Sequence, residues 1–399
     1  MESSQEDGAV MRLAYCTNIW NHHQGPVCTE LAKLLGPDDF KLLLYQPLDH
    51  KYSLERINMG WNLNPPDEPW IVGPPKTCAE ADYSEYVKIA MEADAIVFNG
   101  QLPYMTWDML RVRHRQGKLN LRMGERIYRG GRPWWYPFSP KKWLGRLVSH
   151  YRFESAGLHF LTMSHWCADD LAYLYACKGR TWRWGYLTPV SEKCVEKPKR
   201  EKVRIGWCGR MLRLKQVDLI LKAYAAMPEA AKAECEIHLV GNGEAEEELR
   251  QLSRDLGIEC SVQFSPLMSQ VNAKKFLEGL DVFVFPSNAH EGWGATLLEA
   301  MDKGCAVTAN TAAGATLEVV EDGSNGFTFK DGDIATLTER LAWLVEHEEE
   351  RREMGRRAWA TIQGWSPTAG ASRLVSLVEH LRVGRRDGLP PSGLCAGVR

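Results

Sequence analysis

The sequence predicts an α/β protein of two Rossmann-like domains, each built on a parallel sheet. Three observations indicate this class. Short apolar runs alternate with helical patterns, a charged segment with two prolines interrupts them near residue 190, and 399 residues suffice for two or three domains. Parallel strands that helices cover on both faces read as such short, nearly continuous apolar runs.

The first domain is predicted over 11–186, after a disordered polar tail over 1–10. Its helical pattern at 27–36 ends at Gly36, a residue type that commonly closes helices. Residues 46–80 are rich in proline and tryptophan and are predicted to be irregular. Five apolar runs are its strand candidates: 11–16, 40–45, 95–100, 121–124 and 158–164.

The second domain is predicted over 203–365, after a linker at 187–202. A helix over 366–383 follows it, and the composition of 384–399 predicts a second disordered tail. Five apolar runs, separated by helical patterns, are the strand candidates of this domain: 203–209, 235–241, 260–265, 281–286 and 305–310.

Composition excludes several classes of protein. The net charge of −2 argues against a dedicated nucleic-acid binder, which carries a basic excess. No apolar run reaches the roughly 18 residues that span a bilayer, and the polar N-terminus lacks a signal-peptide core. The eleven cysteines show no CxxC spacing, so we expect them to be reduced and mostly buried in a cytoplasmic protein.

The stretch EGWGATLLEA carries two carboxylates, Glu291 and Glu299, on either side of a glycine-rich turn. If Glu291 lies in a loop and Glu299 on the second turn of the following helix, the two flank a helix N-terminus. Such an end offers free N–H groups and a positive dipole, which favour phosphate. Because each carboxylate accepts hydrogen bonds from hydroxyls, a nucleoside diphosphate sugar fits this arrangement. The alternative is a loop glutamate beside a solvated helix glutamate.

Two cations follow the first strand of the second domain. Gly209 and Arg210 end that strand, and Lys215 lies near the start of the next helix. Together they would neutralise a diphosphate that two glutamates alone would repel. Gly241, in LVGNGE, ends another strand and is a candidate nucleotide contact. The alternatives are surface charges and an ordinary glycine turn.

The order of these segments resembles a known family. GR…K, VGNGE, VFVFPS, EGWGATLLEAMDKGCAV and GATLEVVEDGSNGF follow one another as in the retaining glycosyltransferases of family 4, which have the GT-B fold. The resemblance covers about 203–383. The first half, with TNIWNHHQGPVCTEL and GERIYRGGRPW, resembles a subgroup of bacterial sugar transferases. Ala306 replaces a proline that is common in the family.

The resemblance implies roles for these residues. Glu299 would hold the ribose hydroxyls, and Glu291 the hydroxyls of the donor sugar near the reacting face. Arg210 and Lys215 would bind the diphosphate and stabilise the leaving group. The sugar would be transferred with retention. The N–H groups that would contact phosphate are those near Trp293, Gly294 and Ala295.

The resemblance also implies that no divalent metal and no other cofactor is required. One DxD triplet, Asp331-Gly332-Asp333, is present. It lies before a helical pattern, and we interpret it as a turn and a helix N-cap rather than a metal site.

Residues for the acceptor are less clearly marked. His22 and His23, with Gly25 close behind, lie in the first loop of the first domain and are candidates for hydrogen bonds to phosphate or sugar, or for proton acceptance. Packed loop histidines are the alternative. Glu125 is a candidate for acceptor activation or donor contact, against an internal ion pair with Arg126. Ser164 would meet phosphate or cap a helix.

The segment SPKKWLGRLVSHYRF has the pattern of a basic amphipathic helix, which would allow peripheral contact with the inner face of a membrane. An ordinary core-facing helix explains the pattern equally simply, and we favour that interpretation. Its apolar face comprises Trp143, Leu144, Leu147, Val148 and Tyr151.

The function expected from the sequence is therefore transfer of a sugar from a nucleoside diphosphate sugar to a glycan, lipid-linked or small-molecule acceptor, as in polysaccharide biosynthesis. Two alternatives remain: another GT-B enzyme, such as a nucleotide-sugar epimerase or a phosphorylase, and a non-catalytic subunit that binds sugar nucleotides. The nucleotide base, the sugar, the acceptor and the oligomeric state are not encoded in these patterns.

Overall fold

The computed structural model describes residues 11–58, 62–79, 81–128, 139–385 and 387–398. The predicted tail over 1–10 and the end of the GERIYRGGRPW segment lie outside the described residues.

The first domain has a seven-stranded parallel sheet with the order β3-β2-β1-β4-β5-β6-β7. β1, β2 and β4 are short, apolar and buried because helices cover both faces of the sheet. The strands are β1 Leu13–Thr17, β2 Phe40–Leu44, β3 Ile71–Val72, β4 Ala95–Asn99, β5 Leu119–Gly124, β6 Leu158–Thr162 and β7 Thr181–Arg183. The helices are α1 Gly25–Leu35, α2 Lys51–Asn58, α3 Ser84–Glu92, α4 Trp107–Arg115, α5 Pro140–Ser155 and α6 Cys167–Tyr173.

The second domain has a six-stranded parallel sheet with the order β10-β9-β8-β11-β12-β13. Its strands are β8 Val203–Cys208, β9 Cys235–Val240, β10 Val262–Ser265, β11 Val282–Phe285, β12 Ala306–Asn310 and β13 Phe327–Phe329. Its helices are α7 Asp218–Ala225, α8 Glu229–Ala233, α9 Glu246–Asp255, α10 Gln270–Glu278, α11 Ala295–Asp302, α12 Thr316–Val319, α13 Ile334–Glu346 and α14 Glu348–Gln363.

The last helix, α15 Pro367–Arg382, returns to the first domain and packs on α1. Thr368 donates a hydrogen bond to Glu30 at 3.1 Å, and Arg382 lies 3.9 Å from Asp94. The predicted two-domain α/β architecture with a crossover helix is confirmed.

The prediction of a disordered tail over 384–399 is wrong for residues 394–398. Leu394, Cys395 and Ala396 are buried. The backbone of this segment pairs antiparallel with β7, through Trp182 opposite Gly397 and hydrogen bonds at both ends of the strand. Pairing with a strand edge satisfies backbone groups that polarity and glycine content alone would assign to solvent.

Four short elements were not predicted. α2 and β3 lie within the stretch expected to be irregular, β7 adds a strand at the edge of the first sheet, and β13 adds a sixth strand to the second sheet. β3 has two residues, and β7 and β13 have three each, which is too short for an alternation or an apolar run to be recognised.

The core-facing interpretation of α5 is wrong. Phe153 is the one buried residue of this helix. The large apolar side chains of its predicted face are 39% to 61% exposed: Trp143, Leu144, Leu147, Val148 and Tyr151. Within the described residues, no helix is both long and apolar enough to cross a membrane.

Candidate active site

The carboxyl ends of strands from both sheets meet at a cleft of about 390 Å³. Asn18 and Asn99 reach it from the ends of β1 and β4, and Lys215 and Glu291 from the loops after β8 and β11. Ligands of open α/β sheets bind at this edge, so the topology places the candidate site between the domains. The remaining lining residues are Ile19, Asn21, His23, Gln24, Tyr52, Arg56, Tyr186, Gly294 and Ala295.

The start of α11 is open toward the cleft. Gly294, the N-cap, has φ +101°, and a Cβ there would lie 2.1 Å from the ring of Phe285, so the turn requires glycine. No side chain caps the helix, and Gly294 and Ala295 line the cleft. N–H groups at an uncapped helix start are the donors that bind phosphate elsewhere.

Lys215 and Glu291 form an ion pair at this helix start. Both side chains are largely buried, with 19% and 14% exposed. The pair is fixed by the backbone, because Asn288 donates to the carbonyl of Leu214 at 3.0 Å and Glu291 donates to that of Asn288 at 2.9 Å. The fold brings these two residues together although they lie 76 positions apart in the sequence.

Glu299 lies on the second turn of α11, as expected. Burial raises the pKa of its carboxyl to about 7, while Lys274 acts in the opposite direction. The same lysine lowers the pKa of His22 in the first domain. The charge of Lys274, on α10, therefore acts on a carboxyl of the second domain and on a histidine of the first. Sequence reasoning missed it because it is one of several polar residues on an amphipathic helix.

Arg210 is exposed and is not among the residues that line the cleft, and its guanidinium takes part in none of the hydrogen bonds or ion pairs of the described residues. Gly209 and Gly241 do not line the cleft. They allow the loops after β8 and β9 to touch, since a Cβ on Gly241 would lie 1.9 Å from the carbonyl oxygen of Gly209. Their expected contact with nucleotide stays a prediction.

Trp293 is fully buried, with its ring 5.5 Å from that of Trp365. A Cβ on Gly185, in the connection between the domains, would lie 2.3 Å from the Trp293 ring. The tryptophan thus anchors the glycine-rich turn against the interdomain connection, and only its backbone could serve a ligand.

The rings of His22 and His23 are in contact, tilted by 50° with centroids 3.8 Å apart, and His23 stacks on Tyr186 at 4.8 Å. Burial lowers the pKa of His22 to about 4 and that of His23 to about 3. Both rings are therefore neutral near pH 7 and are weak proton acceptors. Gly25 donates its N–H to the carbonyl of Asn21 at 2.8 Å and packs on Trp20, so a donor contact through its amide is not supported.

Glu125 accepts a hydrogen bond of 2.8 Å from the Tyr186 hydroxyl. Its carboxylate also lies against Gly292, where a Cβ would come within 2.0 Å of it. Glu125 is thus placed beside the turn that carries Glu291. Arg126, the alternative partner, lies 3.6 Å from Asp170.

Ser164 is buried, and its hydroxyl does not cap α6. It lies at the interdomain contact, 3.0 Å from where a Cβ on Gly314 would be. Next to it, His165 and Arg183 of the first domain each lie 3.1 Å from the Glu318 carboxylate of the second. The Ser164 hydroxyl oxygen is buried without a hydrogen-bond partner among the described residues, and its expected phosphate contact stays a prediction.

The DxD triplet serves the turn and cap that were expected. Asp333 accepts a hydrogen bond from the Thr336 N–H at 3.0 Å and caps α13. Asp331 accepts from Asn310 at 3.0 Å. Across the described ranges, His, Cys, Asp and Glu do not gather in threes or more at any point that could hold a metal ion.

Tyr52, Arg56 and Tyr186 line the cleft from the first domain and were not singled out by sequence reasoning. The Arg56 guanidinium lies 4.9 Å from the ring centre of Tyr52 on α2. The short helix lies in the stretch expected to be irregular, so its periodic signal was not recognised. Tyr186 precedes the linker and carries no motif.

Solved structures of other proteins share the fold of this chain. HepE of Anabaena, solved in complex with UDP, shares the fold with a TM-score of 0.63 over 92% of this chain and 100% of its own, at 16% identity. A glycosyltransferase of Rickettsia africae gives 0.64 over 93% and 98%, at 11% identity. The chain has the GT-B fold, in which two Rossmann-like domains face each other across a cleft.

The second domain matches a family model. Residues 192–360 match the model of the glycosyl transferases group 1. The resemblance to the retaining enzymes of family 4 is consistent with this match.

Two curated relatives extend the comparison. The D-inositol 3-phosphate glycosyltransferase of Corynebacterium kroppenstedtii is 28% identical over 218 residues, 50% of this chain and 48% of the relative. A GDP-mannose-dependent monoacylated alpha-(1-6)-phosphatidylinositol monomannoside mannosyltransferase of Corynebacterium glutamicum is 28% identical over 180 residues, 43% of this chain and 45% of the relative. The chain spans about half the length of the curated relatives it matches.

Proposed function

We propose that this protein is a retaining glycosyltransferase that moves a sugar from a nucleoside diphosphate sugar to a glycan, lipid-linked or small-molecule acceptor. One observation carries the proposal: the Lys215–Glu291 pair lies at the uncapped start of α11, with Glu299 on the next turn. A cation, free N–H groups and two carboxylates in this order match a ligand with a diphosphate between two groups of hydroxyls.

The diphosphate would bind at the N–H groups of Gly294 and Ala295 and at Lys215, with Arg210 as a second cation. Cleavage of the sugar–phosphate bond develops negative charge on the diphosphate. Fixed cations and a helix dipole that point at this charge stabilise the transition state more than the ground state. Lys215 and Arg210 would thereby assist departure of the leaving group.

Glu299 would accept hydrogen bonds from the ribose hydroxyls, and Glu291 from hydroxyls of the donor sugar. The raised pKa of Glu299, about 7, leaves its carboxyl partly protonated at neutral pH when no ligand is bound. Two ribose hydroxyl donors favour the ionised form, so ligand binding would lower this pKa.

The first domain would supply the acceptor side. Glu125, held by the Tyr186 hydroxyl, is the candidate for acceptor activation or donor contact. His22 and His23 are neutral at pH 7 and would serve as hydrogen-bonding partners rather than as the base. Retention of configuration is proposed from the resemblance to family 4, and NMR of the anomeric proton of the product tests it.

We also propose that no divalent metal is required, because Lys215, Arg210 and the start of α11 would take the place of one. Full activity after dialysis against EDTA would support this. Loss of activity that Mg²⁺ or Mn²⁺ restores would contradict it and leave the transferase assignment standing.

The test of the function is a thermal-shift screen against UDP, GDP, ADP and their sugars, since a ligand that binds the folded state alone raises its stability. We expect one nucleoside diphosphate to give a clear shift, and its sugar conjugate to be hydrolysed or transferred. No shift with any of them would overturn the proposal. Binding without turnover in acceptor mixtures would indicate a non-catalytic subunit, and an isomeric nucleotide sugar made without acceptor would indicate an epimerase.

A further inference from the structure

The helix α5 presents an apolar face to solvent. At about 100° per residue, its exposed large side chains fall within an arc of about 140°. Phe153, the one buried residue, lies on the opposite side and attaches the helix to the domain. A surface helix of a globular domain usually packs such an apolar face against the core. An apolar face exposed to solvent therefore indicates a site of interaction with a partner. The face comprises Trp143, Leu144, Leu147, Val148 and Tyr151, with 39% to 61% exposed.

The charged side chains of this helix are predominantly basic. The helix carries four cations and a single acid, Glu154. That acid is already paired with Arg180 at 2.7 Å. Arg146 lies over the ring of Tyr175, 4.4 Å from its centre, and Tyr175 is itself 69% exposed. The other cations of the helix are Lys141, Lys142 and Arg152.

We propose that this surface, the α5 face, binds the anionic surface of a lipid membrane. An apolar stripe bordered by cations, with tryptophan and tyrosine among the apolar residues, matches the boundary between acyl chains and anionic headgroups. A protein partner of matching shape would not require the basic residues that accompany the face. The proposal concerns attachment of the first domain and does not depend on sugar transfer.

The position of α5 agrees with this orientation. The helix lies between β5 and β6, and β5 ends at the cleft, next to Glu125. Because α5 runs back toward the amino end of β6, its first turn, with Lys141 and Lys142, lies nearer the cleft edge of the domain than its last turn. Attachment through this face would bring the cleft close to a membrane surface.

The test is flotation of the whole protein with vesicles of phosphatidylcholine, alone or mixed with phosphatidylglycerol. We expect binding to the mixed vesicles that high salt weakens, and little binding to phosphatidylcholine alone. Lys141→Gln with Lys142→Gln should weaken binding roughly 30-fold, from about fivefold per cation. Leu144→Glu with Leu147→Glu should abolish it.

A matched control is Leu34→Glu on α1, a leucine that is 55% exposed in the same domain. It should bind vesicles as the natural protein does, and all variants should keep its thermal unfolding midpoint because the changed residues are exposed. Equal binding to both vesicle types, or unchanged binding of the α5 variants, would overturn the proposal. So would a dimer in solution that the α5 variants convert to a monomer without any vesicle binding.

Discussion

The ammonium group of Lys215 is held by the carboxylate of Glu291 at the start of α11, so the candidate diphosphate site already contains an anion. A donor must displace or share this partner when its phosphates arrive. The pair keeps a largely buried cation neutralised while the cleft is empty, and a buried cation without a partner would be costly.

Replacement of Glu291 by Gln should separate binding from turnover. Without the competing carboxylate, Lys215 is free for phosphate, and we expect affinity for the nucleoside diphosphate to rise about fivefold. Turnover should fall about 100-fold or more, because the contact to the donor sugar at the reacting face is lost. Calorimetric titration and steady-state kinetics measure the two effects. Unchanged turnover would show that Glu291 does not act on the sugar.

Glu299 should make stability depend on pH in a defined window. Its pKa is about 7 in the folded protein, against roughly 4.3 for an ordinary glutamate. The neutral form is thus favoured by folding, and its contribution is complete below about pH 4 and is lost as pH rises through about 7. Glu299→Gln should remove this loss and raise the free energy of unfolding at pH 8 by about 3 to 4 kcal/mol relative to the natural protein. At pH 4 the two should agree.

Denaturant unfolding at both pH values provides the measurement. The same variant should bind the nucleoside diphosphate more weakly, because an amide replaces one carboxylate oxygen by a donor. A stability difference that is independent of pH would contradict the raised pKa.

Lys274→Met should raise two pKa values in different domains at once. The lysine lowers the pKa of His22 and of Glu299 through its charge, so its removal should shift both upward. NMR titration of the His22 ring reports the first, and the pH-dependent stability of the variant reports the second. Lys275→Met, on the exposed side of the same helix, is the control and should move neither. A shift of Glu299 alone would mean that Lys274 does not reach the first domain.

Gly292→Ala should impair the site by steric conflict. The new Cβ would lie 2.0 Å from the Glu125 carboxylate, so either this carboxylate or the turn that carries Glu291 must move. We expect turnover to fall at least about tenfold, since displacement of a catalytic group by about 1 Å has effects of this size or larger.

Gly73→Ala serves as the comparison, because nothing lies within 4 Å of its Cβ position. Addition of Glu125→Ala to Gly292→Ala relieves the clash, so nucleotide affinity should match that of the natural protein, whereas turnover should stay low if Glu125 serves the acceptor. Full activity of Gly292→Ala alone would argue that the contact is easily relaxed.

The second domain could be predicted in detail because its information is local. The glycine-rich turn, the helix start and the positions of Glu291 and Glu299 are contained in one continuous stretch, and the structure places both carboxylates as that stretch indicates. Lys215 was predicted only to lie near the same site as Glu291, since no local pattern encodes an ion pair across 76 residues.

The first domain was less predictable because its side of the cleft is assembled from separated segments. Tyr186 meets Glu125 across 61 residues, and α2 contributes Arg56 from a stretch without a clear period. The orientation of α5 was missed for another reason. Amphipathicity specifies that one face is apolar, but it does not specify whether the core or an external partner covers that face.

The return of α15 and residues 394–398 to the first domain has a consequence for synthesis of the chain. Thr181 on β7 donates its hydroxyl proton to the carbonyl of Val398, 217 positions later. The first domain leaves the ribosome first, and its outer strand, β7, therefore stays uncovered until the whole second domain has been synthesised. During that interval an unpaired strand invites association with neighbouring chains, so premature termination in the second domain would release a first domain prone to aggregate.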